Sequence, residues 1–324
     1  MNKLNPIPMS GIEGHNLLGF LAALGVLYEL DQATCGEVRL SWTRQRSTWS
    51  PVIWSECGTT DELVQVLVKK LCGMPRPVPP VVEQFSDLKF TPAEFRELLE
   101  RGNKDLALLA ALATETATEE GQAQDTGFRT MAGAGHQHFL GFARYLIENV
   151  VPEDLAGTLF EPWKYLDEGY SLRWDSADYR PHALRGLDPS KDKLQSVWWA
   201  NRLGFSALPL FPCYPSSRGL RTAGFDVSRN EMLVWPIWQD PITVDVLRSL
   251  ITFTRSLFDG ETGITERGIQ AIYQSQRFTE GIATSRPVEW WVEIFASGKM
   301  VAKAPGALAQ QKSQRADFPF LNLS

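Results

Sequence analysis

Residues 171–241 read SLRWDSADYRPHALRGLDPSKDKLQSVWWANRLGFSALPLFPCYPSSRGLRTAGFDVSRNEMLVWPIWQDP, and they alternate basic residues, aromatic rings and Pro or Gly turns. Within residues 169–222, eight Lys and Arg residues stand against four Asp residues, so the local charge is eight minus four, +4, in a chain whose net charge is −6. Because attraction depends on the local field, a basic island in an acidic protein indicates an anionic partner. The alternative is that the arginines pair with the interleaved aspartates and cover a sheet face.

Aromatic residues lie among these basic residues, namely Trp174, Tyr179, Trp198, Trp199 and Tyr214. Arg and Lys hold phosphates without reading base sequence, and aromatic rings stack on unpaired bases. The same residue types also suit a protein–protein interface. The pattern therefore predicts contact with nucleic acid or with protein, and both interpretations stay open.

Hydrophobic periodicity within this stretch predicts short elements. A helix is expected from near Lys193, covering Trp198, Trp199, Leu203 and Phe205. Pro209, Pro212 and Pro215 fall three apart, which favours an extended segment. Strands are expected near Leu172–Trp174, Ala183–Arg185, Phe225–Val227 and Met232–Trp235.

The N-terminal region predicts a buried helix followed by a hairpin. Asn16 is a candidate N-cap for a helix over Leu17–Leu30, whose apolar residues surround most of its circumference. Alternation predicts a hairpin from Glu37–Arg46 and Thr48–Ser55. Pro51 within the second strand predicts an edge strand or a bulge.

The rest of the sequence predicts mainly helices before residue 165 and both helices and strands after it. Thr114–Thr126 is polar and is expected to be a loop, whereas Thr91, Pro92 and Glu94 have the residue types of a helix start. The expected helices are Thr60–Leu71, one starting at Thr91, Leu106–Ala113, one within Arg129–Glu148, Pro152–Phe160 and Ile242–Phe258. Thr265–Thr279 is expected to be a strand, and Glu289–Phe295 is a second apolar segment.

These elements predict an α+β fold. The expected division is a helix-rich lobe with a small hairpin over residues 1–165, then a mixed lobe over 166–305. The second lobe would hold short antiparallel strands, the basic and aromatic stretch and a long amphipathic helix. Residues 306–324 are expected to form a polar tail.

Composition places the chain among globular proteins. It has 324 residues, of which 44% are hydrophobic and 22% charged, enough to build a substantial core. No apolar run approaches the roughly 20 residues that span a bilayer, and no signal peptide is evident, so a cytoplasmic location without membrane contact is expected. The cysteines (Cys35, Cys57, Cys72 and Cys213) show no C-x-x-C spacing and are expected to be buried or incidental thiols.

His136 and His138 form an H-x-H motif after a Gly-rich turn at the start of a predicted helix. Two such residues can ligate a metal on an extended backbone, but residues two apart on a helix point in different directions. A third ligand would have to come from elsewhere, such as His15 or His182. The alternatives are a phosphate contact at the helix start and a structural capping turn. No P-loop, G-x-G-x-x-G or G-x-S-x-G motif is present, and no cofactor or catalytic residue is predicted.

Several phrases together resemble CRISPR-associated proteins. They are GIEGHNLLGFLAALGVL (11–27), GHQHFLGFARYL (135–146), SLRWDSADYRPHALRGLDPS (171–190), ANRLGFSALPLFPCYPSSRGLRTAGF (200–225) and VWPIWQDPITVDVLRSL (234–250). The chain resembles the large-subunit-like and accessory family of type I, subtype G (formerly U) systems, over roughly residues 10–250.

The resemblance implies a non-catalytic subunit or accessory of a type I, Cascade-like interference complex in antiviral defence. Its partners would be other effector subunits, with crRNA and target DNA reached through the complex, and the helicase-nuclease is a further candidate. In such complexes base pairing reads the sequence while protein contacts the backbone. The residues expected to contact nucleic acid are Arg173, Trp174, Tyr179, Arg180, Arg185, Arg202, Arg218 and Arg221. The alternatives are a metal-dependent nuclease that uses His136 and His138, and a purely structural protein-interaction scaffold.

Overall fold

The computed structural model describes residues 3–33, 36–45, 48–101, 105–130, 138–176, 195–217, 219–225, 232–260, 267–279, 288–296 and 299–305. Over these residues the fold is α+β, as predicted. The helices are α1 (Leu17–Ala33), α2 (Thr60–Leu71), α3 (Pro80–Gln84), α4 (Pro92–Arg101), α5 (Leu106–Leu112), α6 (Phe139–Asn149), α7 (Asp154–Phe160), α8 (Trp198–Ser206) and α9 (Val244–Gly260).

The strands form antiparallel sheets. They are β1 (Asn5–Pro8), β2 (Arg39–Gln45), β3 (Thr48–Ser55), β4 (Ala113–Glu119), β5 (Gln122–Asp125), β6 (Asp167–Glu168), β7 (Gln195–Ser196), β8 (Cys213–Ser216), β9 (Gly219–Thr222), β10 (Met232–Trp238), β11 (Ile269–Thr279), β12 (Val288–Ala296) and β13 (Lys299–Pro305). One sheet has the order β1-β3-β2 and another is the meander β10-β11-β12-β13, whereas β4-β5, β6-β7 and β8-β9 are separate pairs. The predicted N-terminal hairpin is thus confirmed as β2 and β3.

Pro51 does not lie on an edge strand, so that prediction was wrong. β3 is the middle strand of its sheet, with β1 on one side and β2 on the other. The Pro51 carbonyl accepts a hydrogen bond from Met9 N at 2.9 Å, just beyond the end of β1. The nitrogen of a strand residue faces the same neighbour as its carbonyl. The missing N–H of Pro51 therefore costs no hydrogen bond to β2, where Pro51 lies opposite Trp42.

Helix α1 is the buried helix that the sequence predicts, and Asn16 caps it. The Asn16 Oδ1 atom accepts hydrogen bonds from Leu18 N at 2.9 Å and Gly19 N at 3.4 Å. Every residue from Leu17 to Leu27 is buried. An all-round apolar helix needs neighbours on every side, and α1 therefore occupies the centre of the core.

The two predicted lobes share one core around Phe20 of α1. The Phe20 ring lies 5.9 Å from Trp42 of β2 and 5.9 Å from Trp235 of β10. The Trp238 indole also meets Trp42, edge to face at 6.0 Å, and donates to the Leu40 carbonyl at 2.8 Å. Residues from both sides of position 165 thus fill a single hydrophobic cluster.

Residues 114–126 form the hairpin β4-β5 and not the expected loop. The turn is at Glu120 and Gly121, which both have positive φ, 49° and 79°, as a tight hairpin turn requires. Ala117 and Ala123 are buried beneath the hairpin. The prediction gave weight to polarity and missed the alternating threonines, whose β-branched side chains favour strands.

Leu172–Trp174 is a loop, which corrects the predicted strand. The Leu172 N–H donates to Asn201 Oδ1 at 2.8 Å, and the Leu172 carbonyl accepts from Thr130 Oγ1 at 2.6 Å. Side chains therefore satisfy the backbone groups that a neighbouring strand would have used.

The remaining predicted elements divide into confirmed, corrected and undescribed ones. α9 and β11 confirm the predicted C-terminal helix and strand, and Met232–Trp235 lies within β10. Pro209 lies in a short 3₁₀ turn, Leu208–Leu210, so only part of the proline segment is extended. Residues 183–185 and 306–324 are outside the described residues. Among the described helices, none combines the length and apolar character that crossing a bilayer requires.

Candidate functional site

The eight predicted nucleic-acid-binding residues do not form one surface among the described residues. Tyr179, Arg180, Arg185 and Arg218, together with His136, lie outside the part of the chain that the structure describes. The other four predicted residues are described, and three of them are buried.

Trp174 belongs to the core and offers no ring face to a base, which corrects its expected stacking role. Its exposed fraction is 0%, and its indole N–H donates to the Phe128 carbonyl at 3.0 Å. Its ring packs edge to face against Phe128 and Phe139, with centroids 5.8 and 6.1 Å away.

Arg202 and Arg221 are also buried, which corrects their expected phosphate contacts, and Arg173 is half-buried in a left-handed backbone conformation. Arg202 lies inside the core beside the buried carboxylate of Glu29. One signal in the sequence could have revealed this: Glu29 is the one charged residue between Leu17 and Leu30 of the apolar helix. A buried charge requires a polar or charged partner.

Near the H-x-H motif, the described residues form an ion-pair cluster. Arg129 bonds Asp87 at 2.7 Å and Asp125 at 2.5 Å. The His138 side chain is 37% exposed, and its Nδ1 atom lies 3.9 Å from Asp87 Oδ2. Among the described residues, no group of three or more His, Cys, Asp or Glu side chains is placed to hold a metal ion.

One concavity among the described residues is a groove of about 460 Å³, which we call the α7–α8 groove. It is bounded by residues 150–167, which include α7 and the segment after it, and by residues 196–199 at the start of α8. No functional residue was predicted within Glu161–Tyr165. The sequence signal for this site is the pair of aromatic residues, Trp163 and Tyr165, in a Pro-containing segment.

Aromatic side chains form the walls of the α7–α8 groove. Trp163 and Tyr165 meet edge to face at 6.3 Å, and the Trp163 indole donates to the Thr158 carbonyl at 3.0 Å. Opposite them, Trp198 packs edge to face on Tyr145 at 5.2 Å. Leu166, also in the lining, is 74% exposed. These side chains are held in place and leave apolar surface open to a partner.

The charges of the groove are mostly negative. Among the described residues, its lining holds four carboxylates, Glu153, Asp154, Glu161 and Asp167, and one ammonium, Lys164. The Lys164 Nζ atom pairs with Glu161 at 2.8 Å. The net charge of the lining is one minus four, −3, which favours a cationic partner and repels a polyanion.

Asp167, one of the four carboxylates of the groove, also stabilises the start of α8. Its Oδ2 atom accepts the Trp198 N–H at 2.6 Å, which satisfies an unpaired donor at the first turn of α8. Burial raises the pKa of Asp167, the hydrogen bond from Trp198 opposes that rise, and the nearby Asp154 adds to it. A cation in the groove would stabilise the ionised form of this carboxylate.

Tyr165, one of the lining residues of the groove, holds a strained backbone conformation. Its φ is 51°, in the left-handed region that residues with a Cβ rarely adopt. The Tyr165 hydroxyl donates to Asp175 Oδ2 at 3.0 Å, which fixes the ring. Such strain persists only where surrounding contacts over-determine it, and it clusters at binding sites.

The geometry as a whole suits recognition of a basic segment. The ammonium and guanidinium groups of such a segment would form ion pairs with the carboxylates and cation–π contacts with the faces of the Trp and Tyr rings. Apolar stems would lie along Leu166. Comparison of the chain with protein-family models, with curated proteins and with solved structures gives no match.

Proposed function

We propose that the chain is a cytoplasmic, non-catalytic subunit or accessory of a type I CRISPR interference complex, contributing complex assembly and nucleic-acid contact. The five sequence phrases that resemble subtype G proteins support the assignment of the chain to a type I CRISPR system. The α7–α8 groove is the observation that carries the assembly role.

The occupant of the groove is an Arg- or Lys-containing segment of a partner subunit. The net charge of −3 complements such a segment, and the rings of Trp163, Tyr165 and Trp198 provide surfaces for its cations and their alkyl stems. Interfaces of this kind obtain most of their binding energy from a few aromatic anchors. The same charge makes a nucleic-acid strand a poor occupant.

Nucleic-acid contact is assigned instead to the basic stretch, without its buried members. The remaining set is Arg173, Tyr179, Arg180, Arg185 and Arg218. The described residues that flank 177–194 make contacts with other parts of the fold. Asp175 is held by Asn16 and Tyr165, and Gln195 pairs with Glu168 in the β6-β7 ladder.

The assembly role is tested by charge reversal in the groove. The variant Glu153→Lys/Glu161→Lys changes two exposed carboxylates, and Glu100→Lys/Glu119→Lys makes the same change of charge at exposed positions elsewhere. Each is co-expressed with the other subunits of a type I interference complex and captured by affinity tag. We expect the groove variant to lose at least about tenfold in partner affinity, since interface charges affect binding strongly, while the control retains it. Equal capture by both variants would contradict the proposal.

Nucleic-acid contact is tested by a salt titration with single-stranded DNA, duplex DNA and RNA. The variant Arg180→Ala/Arg185→Ala/Arg218→Ala is compared with wild type. Direct phosphate contact predicts steep loss of affinity with salt and a shallower slope in the variant. Capture of partners together with no binding to any of the three nucleic acids would leave the purely structural scaffold as the function.

A further inference from the structure

A second concavity, separate from the α7–α8 groove, lies where α1, α2, α5 and α8 meet. Its volume is about 310 Å³, within the range of small-molecule sites. We call it the Arg202 cavity, because Arg202, Ser206 and Glu29 are its most buried polar lining residues. Lys70 and Asp105, both half-buried, add one charge of each sign.

The buried side chains form a hydrogen-bonded relay. Ser206 Oγ donates to Glu29 Oε1 at 2.5 Å and accepts from Arg202 Nη1 at 2.6 Å. Glu29 is 9% exposed and Arg202 is 5% exposed. The hydroxyl thus separates a buried carboxylate from a buried guanidinium, and the two charges have no direct salt bridge within hydrogen-bonding range.

Arg202 has donors that the relay does not use. A guanidinium carries five N–H groups, and the Arg202 Nε atom is buried without a hydrogen-bond partner. Leaving a charged donor unsatisfied in the interior is costly. A polar molecule in the adjoining cavity that accepts hydrogen bonds from this side chain would reduce the cost.

The balance of charges restricts the chemistry of that molecule. Among the described residues the lining holds two carboxylates, Glu29 and Asp105, and two cations, Lys70 and Arg202, so these four charges sum to zero. A phosphate-bearing ligand beside Arg202 would also be repelled by the Glu29 carboxylate, which opposes the attraction. A ligand with one charge of each sign can satisfy both. Leu108, Ile147 and Phe205 form an apolar part of the wall, and the uncharged polar side chains of Tyr28 and Gln32 also line the cavity.

We propose that the Arg202 cavity binds a small zwitterion of the free α-amino-acid type. The ligand carboxylate accepts from Arg202, and its ammonium group donates to Glu29. Its side chain packs against the apolar wall. This site is independent of the assembly and nucleic-acid roles, since none of its four charged residues lines the α7–α8 groove.

The test measures binding of each of the twenty free L-amino acids, and of inorganic phosphate, by calorimetry and by thermal unfolding of the full chain. The variant Ala107→Trp fills the mouth from an exposed lining position and leaves the relay intact, whereas Ala93→Trp places the same ring on an exposed part of α4 outside the cavity. We expect saturable one-site binding of at least one amino acid to wild type and to Ala93→Trp, and at least about tenfold weaker binding to Ala107→Trp because the mouth is blocked.

Three results would overturn the proposal. They are the absence of binding by any amino acid, unchanged binding by Ala107→Trp, and binding of phosphate with no amino acid bound. The last would define a simple anion site. Because the obstructing residue is exposed, loss of binding in Ala107→Trp with an unfolding temperature equal to that of Ala93→Trp separates obstruction from misfolding.

Discussion

Gly25 of α1 lies directly against the backbone carbonyl of Leu203 in α8. A Cβ at position 25 would lie 1.9 Å from the Leu203 oxygen and 2.7 Å from its carbonyl carbon. No side chain separates the two helices there, so their backbones approach as closely as atoms allow. This contact fixes the position of α8, which carries Trp198 to the α7–α8 groove and Arg202 to its cavity.

Gly25→Ala should therefore destabilise the protein strongly. The added methyl group cannot be accommodated by a rotamer change, because the atom it meets is backbone. Overpacking of a core costs about 1–3 kcal/mol and occasionally more, and we expect the upper end of that range, measured as the free energy of unfolding in urea. Gly157→Ala is the control, since a Cβ in that α7 position meets nothing within 4 Å. It should gain about 0.5–1 kcal/mol from helix propensity. Equal effects of the two substitutions would show that the helices are not in contact.

Asn16 has two roles, and three substitutions separate them. Its Oδ1 atom caps α1, while its Nδ2 atom donates to the buried Asp175 Oδ1 at 2.9 Å. Asn16→Ala removes both, and we expect a loss of about 2–4 kcal/mol. Asn16→Ser retains a capping oxygen and should lose less.

Asn16→Asp should make stability depend on pH. It keeps the cap but places a second carboxylate beside Asp175, and the two cannot both ionise without repulsion. The pKa of one is then raised in the folded state, so the contribution of this pair to stability is greatest below the ordinary Asp pKa of about 3.9 and is lost as pH rises above it. Urea unfolding at several pH values measures this. If the free energies of unfolding of Asn16→Asp and Asn16→Ser changed with pH in the same way, the side chain at position 16 would not be in contact with Asp175.

Local signals explain which parts of the fold could be predicted from the sequence. The capping box on α4 involves residues three apart: Glu94 N donates to Thr91 Oγ1 at 3.2 Å, and Thr91 N donates to Glu94 Oε2 at 2.8 Å. The cap of α1 is equally local. Such hydrogen bonds depend only on neighbours in the chain, so residue types and spacing were enough.

The candidate site depended on contacts distant in the chain. Whether Trp174 stacks on a base or fills the core is decided by Phe128, 46 residues away. Arg202 reaches Glu29 through Ser206, 177 residues from Glu29. The sequence pattern around an arginine is the same whether its side chain contacts a phosphate at the surface or pairs with a carboxylate in the core. The α7–α8 groove was missed for the same reason, since its lining comes from two segments, 150–167 and 196–199, that are distant in the chain.

The Glu29–Ser206–Arg202 relay should show strong coupling in a double-mutant cycle. Removing one buried charge leaves the other uncompensated, which costs about 3–5 kcal/mol, whereas replacing both by apolar residues of similar size is often nearly neutral. We therefore expect Glu29→Met and Arg202→Met each to be strongly destabilising, and the double variant to be more stable than the sum of the two losses implies. Urea midpoints of the four proteins provide the cycle. Additive losses would mean that the two charges do not compensate each other.

Ionisation of Tyr273 should lower the free energy of unfolding at alkaline pH. Its ring is buried against Trp235, with centroids 5.8 Å apart, and burial raises the pKa of its hydroxyl from 10.0 to about 12, although Arg44 acts in the opposite direction. The native state therefore holds this proton more tightly than the unfolded state. Between the two pKa values the unfolded state binds fewer protons, so stability falls as pH rises, by about 3 kcal/mol in all.

Tyr273→Phe removes the ionisable hydroxyl and should flatten this fall while leaving the neutral-pH core packing almost unchanged. The measurement is the free energy of unfolding from about pH 9 to about pH 12, the range in which a tyrosine of this kind titrates. Tyr214→Phe, at an exposed position on β8, is the matched control and should follow wild type. If Tyr273→Phe lost stability with pH as steeply as Tyr214→Phe, the hydroxyl of Tyr273 would have to be exposed to water, and the packing of β11 against the aromatic core would need to be revised.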